Sequence, residues 1–151
     1  MRAIPLRDRS VDAVIACDNA LPHLLSEGEI KVALSEFVRC LRDGGGCIVS
    51  LRDYGVCPER GTVETKDYGA RRWGGRSCRL RQIWRWRGDI YDLVFEVVAA
   101  DGSGEVLATT QRTTYFAVSP NRIAALMRGV GLREVRRDDA SFFQPLLIGT
   151  R

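Results

Sequence analysis

The spacing of apolar and polar positions changes several times along this chain, and each change predicts an element. Val11 to Cys17 is mostly apolar without alternation, the pattern of a strand covered on both faces in a parallel sheet. Asp18 and Asn19 end it. From Ser26 to Leu41 the period becomes helical, with Ile30, Ala33, Leu34, Phe37, Val38 and Leu41 on one face. Ser26 followed by Glu29 forms a capping box at the helix start. Arg39 and Arg42 suit the negative end of the helix dipole, and Gly44 to Gly46 are expected to stop the helix. Cys47 to Leu51 is a second buried strand. Strand, helix and strand at this spacing make a βαβ unit with a right-handed crossover. Arg52, Asp53 and Tyr54 then stand at the strand's C-terminal end, where open α/β sheets bind ligands.

Residues 55–78 show no periodicity and are rich in Gly and charge, so they are expected to form a long loop. Arg79 to Arg87, Ile90 to Ala100 and Glu105 to Val118 read as three antiparallel strands. Gly88-Asp89 and Asp101-Gly-Ser-Gly104 are the turn signals between them. Ser119-Pro120 starts a second helix with Ser at the N-cap and Pro in the first turn. Ile123, Leu126, Met127 and Val130 are its apolar face, and Gly131 ends it. Leu132 to Arg137 and Pro145 to Thr150 are closing strands. The chain is thus expected to be one α/β domain. Residues 1–54 make a βαβ core, 79–118 an antiparallel insert, and 119–151 the helix and closing strands.

Composition narrows the functional classes. The 151 residues can bury a core, and no apolar run approaches the roughly 20 residues that span a bilayer. The start of the chain lacks a signal-peptide core, so a cytoplasmic protein is expected. Five cysteines, with no C-x-x-C pair, read as reduced thiols rather than a disulfide framework or a metal site. Of 23 basic residues only Lys31 and Lys66 are lysines, and arginine suits bidentate contacts to carboxylate or phosphate. A net charge of +4 is too small to imply nucleic-acid binding. The Arg/Trp strand raises that reading again, because aromatics stack bases and arginines hold phosphates. Yet alternation puts Leu80, Gln82, Trp84 and Trp86 on one face and Arg79, Arg81, Arg85 and Arg87 on the other. That is a half-buried strand whose arginines Asp92 and Glu96 can neutralise across the sheet.

Three local patterns carry a family resemblance. Asp18-Asn-Ala-Leu-Pro-His-Leu24, Leu51-Arg-Asp-Tyr54, and the run Val38-Arg-Cys-Leu-Arg-Asp-Gly-Gly45 leading into Cys47-Ile-Val-Ser50 occur in order. Together they resemble the C-terminal portion of class I S-adenosylmethionine-dependent methyltransferases, most nearly the glycine N-methyltransferase-like branch. The resemblance implies a partial Rossmann-like sheet with an antiparallel three-stranded insert, and S-adenosylmethionine as cofactor. It implies that Cys17, Asp18, Asn19 and Ala20 bind the cofactor, with Asn19 facing its methionine end. It implies that Arg52 and Asp53 bind the substrate, with Arg52 on its carboxylate, and that His23 and Tyr54 shape the catalytic mouth. The only histidine, His23, could take a proton from a substrate amine. A neutral amine needs little beyond alignment and desolvation. The same residues have plainer readings. Asn19 could be an Asx-turn residue, Arg52 a solvated partner of Asp53 or Asp18, His23 a backbone-bonded helix-start residue, and Tyr54 a packed strand end.

The family's Gly-rich turn after its first strand has no counterpart here, since Gly44 to Gly46 follow a helix and enter a strand. The expectation is therefore a truncated N-methyltransferase for a small carboxylate-bearing amine, inactive alone. The alternative is a non-catalytic remnant that forms a homodimer through the Val11–Cys17 edge or the apolar surface beside it. An Arg-rich RNA-binding domain is a third reading.

Overall fold

The structure is a computed structural model that describes residues 1–100 and 106–151. It divides into two compact units, one of Met1–Val56 with Phe116–Arg151 and one of Cys57–Tyr115.

The first unit contains a four-stranded mixed sheet, β1 (Val11–Ala16), β2 (Leu41–Ser50), β7 (Arg133–Asp138) and β8 (Leu146–Thr150), in the order β1-β2-β8-β7. β1 runs parallel to β2, and β8 runs antiparallel to both β2 and β7. The ends of β1, β2 and β7 and the start of β8 therefore share one edge of the sheet. Helix α1 (Glu27–Cys40) links β1 to β2, which is the expected βαβ unit. Ser26 caps it, with its Oγ accepting from the Glu29 amide at 3.3 Å. Glu29 returns a carboxylate oxygen to the Leu25 amide at 3.2 Å. The first satisfies one of the helix's orphan donors, and the second fixes the chain just before the cap. Ile30, Ala33, Leu34 and Phe37 bury the predicted face against Leu41, Cys47, Val49 and Leu51. At about 1.5–3 kcal/mol per large side chain, this packing dominates the unit's stability.

The helix does not end at Gly44 to Gly46. Leu41 already has extended backbone, and β2 begins there. The glycines instead form an irregularity in β2, where the register with β1 jumps from Val11↔Leu41 to Ala13↔Gly46. A Cβ on Gly45 would meet the Arg42 carbonyl at 2.9 Å and the Asp12 carbonyl at 3.0 Å, so two strands approach too closely there for any side chain. Helix α2 (Pro120–Gly129) begins as expected, with Ser119 Oγ accepting from the Arg122 amide at 3.2 Å. It ends in a Schellman arrangement, in which Gly131 N–H bonds the Arg128 carbonyl and Leu132 N–H the Met127 carbonyl.

The expectation of double coverage for Val11 to Cys17 does not hold. Ile15 is 65% exposed, and among the described residues β1 pairs only with β2. Val14 and Ala16 face the core, whereas Ile15 shares the opposite face with Ile48 and Ile148. An apolar run records what a strand tolerates, not what lies over it.

The second unit is a four-stranded sheet in the order β3-β4-β5-β6, from β3 (Val63–Trp73), β4 (Arg76–Trp86), β5 (Ile90–Ala100) and β6 (Val106–Phe116, whose last residue lies in the first unit). This corrects two expectations. Residues 55–78 are not all loop, because β3 occupies residues 63–73, and the insert has four strands rather than three. β3 is solvated along nearly its whole length, so no apolar alternation was required to hold it. Gly74 and Gly75, both at positive φ, close the β3–β4 hairpin, the geometry of a two-residue primed turn. Gly88-Asp89 closes the next hairpin, with Arg87 N–H bonded to the Ile90 carbonyl. The expected turn at Asp101 to Gly104, and Glu105, lie outside the described residues.

The two faces of β4 separate as the alternation requires. Trp84 and Trp86 are buried, and Trp84 stacks on Tyr91 with centroids 4.6 Å apart. On the other face Arg81 pairs with Glu96, Arg87 with Asp92 at 2.9 Å, and Arg79 with Asp67. The arginine face is thus largely matched by carboxylates across the strands. No helix among the described residues is long and apolar enough to cross a membrane.

Candidate functional site

The unusual feature of the first unit is the turn after β1. Asp18 and Asn19 adopt successive left-handed conformations, with φ of 55° and 62°. For non-glycine residues this costs free energy and persists only where the surroundings enforce it. Ser50, the last residue of β2, provides the enforcement. Its Oγ accepts from the Asp18 amide at 2.8 Å, and its carbonyl accepts from the Asn19 amide at 3.1 Å.

Ser50 is fully buried, and its hydroxyl proton goes to Gln144 Oε1 at 3.0 Å. Gln144 Nε2 returns to Asp18 Oδ1 at 3.3 Å. A ring of hydrogen bonds therefore runs from the Asp18 amide through Ser50 and Gln144 back to the Asp18 carboxylate. The hydroxyl and the carboxamide use donor and acceptor together, so a change to either leaves a polar atom orphaned.

Asn19 is 1% exposed. Its Nδ2 donates to the Tyr54 hydroxyl at 2.9 Å, and its Oδ1 accepts from the Arg52 amide at 3.1 Å. Its side chain thus spans from the turn after β1 to the turn after β2, rather than closing an Asx-turn of its own. Asp53 in the second turn accepts from Arg137 Nη2 at 2.7 Å. The Arg137 guanidinium, helped by the Gly55 amide, holds the Asp53 carboxyl below the usual range.

The structure therefore brings Asp18, Asn19, Arg52, Asp53 and Tyr54 to one sheet edge. Asp18 is exposed, Arg52 and Tyr54 are half-buried, and the half-buried Cys17 and Ala20 flank the first turn. His23 is exposed at the end of a short 3₁₀ turn, Leu21–His23. Asp53 is engaged with Arg137. The sequence reading did not include Ser50 or Gln144. Ser50 offered one clue, a hydroxyl closing an otherwise apolar strand. Gln144 offered none, since its partner lies 94 residues away. Cys47, in the core of β2, is pushed up to about 12 by burial and stays a thiol. No cluster of His, Cys, Asp and Glu able to hold a metal occurs among the described residues. A shallow pocket of about 280 Å³ in the second unit, lined by Arg85, Asp92, Arg112 and Thr114, is separate in sequence from these turns.

No family profile matches the chain, and no curated protein sequence does. Solved structures do. CalS10 from Micromonospora echinaspora, described as an amino pentose methyltransferase with S-adenosylmethionine bound, superposes with a TM-score of 0.80 at 18% identity. The match covers 99% of this chain and 61% of that one. Streptomyces venezuelae DesVI gives 0.80 at 19% identity, covering 98% and 61%. KedS8 from a Streptoalloteichus species, described as a sugar N-methyltransferase, gives 0.72 at 20% identity, covering 95% and 57%. The chain spans about three-fifths of the length of these structures. With its mixed sheet, its βαβ unit and its polar strand-end turns, the chain carries the α/β fold of the S-adenosylmethionine-dependent methyltransferases.

Proposed function

We propose that this chain forms the acceptor side of an S-adenosylmethionine-dependent N-methyltransferase acting on the amine of a small polar molecule, with an amino sugar as the leading acceptor class. The observation that carries the reading is the strained, hydrogen-bonded turn at Asp18–Asn19, at the sheet edge where α/β folds bind ligands. Strain held this firmly is characteristic of binding sites. The amino-sugar class follows two structural neighbours, whose descriptions name an amino pentose and a sugar N-methyl transfer.

The residues present fit one wall of the cofactor site. Asp18 is exposed, and its carboxylate suits the ammonium of a methionine moiety. When bound, the cofactor supplies a methyl group on a sulfonium, open to displacement by an amine. Asn19 is buried, so it acts through its partners. It holds the Tyr54 hydroxyl and the Arg52 backbone in place, and Cys17 and Ala20 support the same turn. Arg52, with Asp53 locked beside it on Arg137, lines the acceptor mouth with Tyr54. His23, exposed four residues beyond Asn19, stands with Tyr54 at the acceptor mouth. A carboxylate-bearing amine remains the second acceptor class, favoured by a guanidinium at Arg52 that matches a carboxylate bidentately.

A non-catalytic chain that self-associates is the competing reading. It is favoured by the edge position of β1 among the described residues and the 65% exposure of Ile15. Isothermal titration with S-adenosylhomocysteine separates the two. Saturable binding, weakened by Asp18→Ala and by Asn19→Ala, supports methyl transfer. No heat at millimolar ligand, with a concentration-dependent dimer in sedimentation velocity that Ile15→Arg disperses, supports the remnant.

A further inference from the structure

The loop between β7 and β8 meets the site at several points. Asp138 organises its start, with Oδ1 accepting from the Ala140 and Ser141 amides at 2.9 and 3.0 Å and Oδ2 from the Ser141 hydroxyl at 2.7 Å. Its far end is fixed by Gln144, through Ser50 and Asp18, and by the Pro145 carbonyl, which accepts from the Leu51 amide. Arg137, just before it, is tied to Asp53. Both ends are thus fastened to the two turns that form the candidate site.

Between these anchors stand Phe142 and Phe143, 40% and 74% exposed. Their rings lie against each other, with centroids 4.4 Å apart and planes inclined at 48°. A mobile loop would fold such rings inward to remove them from water. A loop fastened at both ends cannot, so the apolar surface stays exposed on the loop that Gln144 ties to the Asp18 turn. Exposed apolar surface on a fixed loop beside a polar site signals a ligand contact. Its size limits the class of ligand. The two rings expose roughly 200 Å² between them, far less than the roughly 800 Å² per partner of a stable protein interface. It matches one face of a small ring.

We infer that Phe142 and Phe143 form an aromatic platform for the acceptor's ring, packing against the C–H face of an amino sugar while Arg52, Asp53 and Tyr54 meet its polar edge. This inference rests on the methyl-transfer reading above. A pyranose presents an apolar face of axial C–H groups and a rim of hydroxyls, and an aromatic pair beside polar side chains complements both. Gln144 is a positioning residue in this arrangement, since it holds the platform to the turn that carries Asp18.

The test uses the full chain and the methyl glycoside of an amino pentose as probe. Saturation-transfer NMR, irradiating the protein's aromatic protons, is expected to saturate the probe's ring protons. Phe142→Ala/Phe143→Ala is expected to abolish that transfer and to weaken the probe by about tenfold or more. S-adenosylhomocysteine binding and the thermal midpoint should stay unchanged, because the rings are exposed. Phe142→Tyr/Phe143→Tyr keeps the rings and should keep binding. Equal transfer in the alanine variant overturns the platform. So does no transfer in the wild type while S-adenosylhomocysteine still binds, which leaves the methyl-transfer reading standing. Loss of both ligands in the wild type removes that reading and the platform with it.

Discussion

Replacing Ser50 with Ala tests whether the ring of hydrogen bonds maintains the strained turn. The hydroxyl is fully buried, accepts from the Asp18 amide and donates to Gln144 Oε1. Ala fits the space but orphans both partners. Each orphaned buried polar group costs about 1–3 kcal/mol. Asp18 is exposed, and water can reach part of its turn, so the total is expected at roughly 2–4 kcal/mol. For a chain of this size each kcal/mol lowers Tm by about 2–4 °C, giving a fall of about 4–16 °C. Gln144→Leu alone should cost less, because the Ser50 hydroxyl can rotate. The double variant should cost less than the sum of the singles, with a coupling of at least about 1 kcal/mol, since neither change then leaves the other's partner stranded. Urea unfolding gives the global values, and hydrogen exchange at the Asp18 and Asn19 amides gives the local one, expected to quicken in Ser50→Ala. If the two changes are additive, or if each single change stays within about 0.5 kcal/mol of wild type, the ring does not hold the turn and the argument from strain fails.

Two further outcomes follow from the same geometry. Glu36 accepts from Arg39 Nε at 2.8 Å and from the Ile4 amide at 2.9 Å, and its carboxyl is lowered from 4.5 to about 2, chiefly by the Arg39 hydrogen bond. Because the folded value is the lower one, its contribution is present above about pH 4.5 and is lost as pH falls towards 2. Urea titrations of wild type and Glu36→Gln should therefore differ most near neutral pH and converge in acid, and a constant gap would contradict the pairing. Gly45→Ala should destabilise by about 1–3 kcal/mol, because its new methyl meets two backbone carbonyls that cannot move aside. Gly46→Ala, with open space around it, should cost less than about 1 kcal/mol, and equal thermal shifts for the two would show that the close approach is not there.

The parts of the fold that were legible in the sequence are those written in short-range chemistry. Helix α1 follows from Ser26, Glu29 and the i, i+3, i+4 run, and α2 from Ser119-Pro120 and Gly131. The opposed tryptophan and arginine faces of β4 follow from simple alternation. Strand β3 escaped because a strand solvated along its length has no need of a pattern. Glycine is common at helix ends, so the glycines at 44–46 point to one, and only the close approach of β1 shows why they sit within β2.

The candidate site divides along the same line. Sequence alone determined that polar residues Asp18, Asn19, Arg52, Asp53 and Tyr54 follow buried strands, because strand periodicity and turn chemistry act over a few residues. Only the tertiary structure decided that Asn19 reaches Tyr54, that Asp53 pairs with Arg137, and that Gln144 closes the ring through Ser50. Those contacts join residues far apart in the chain. They exist because parallel β1 and β2, with β8 entering antiparallel beside them, bring their polar ends to one edge of the sheet, a juxtaposition that no local pattern encodes.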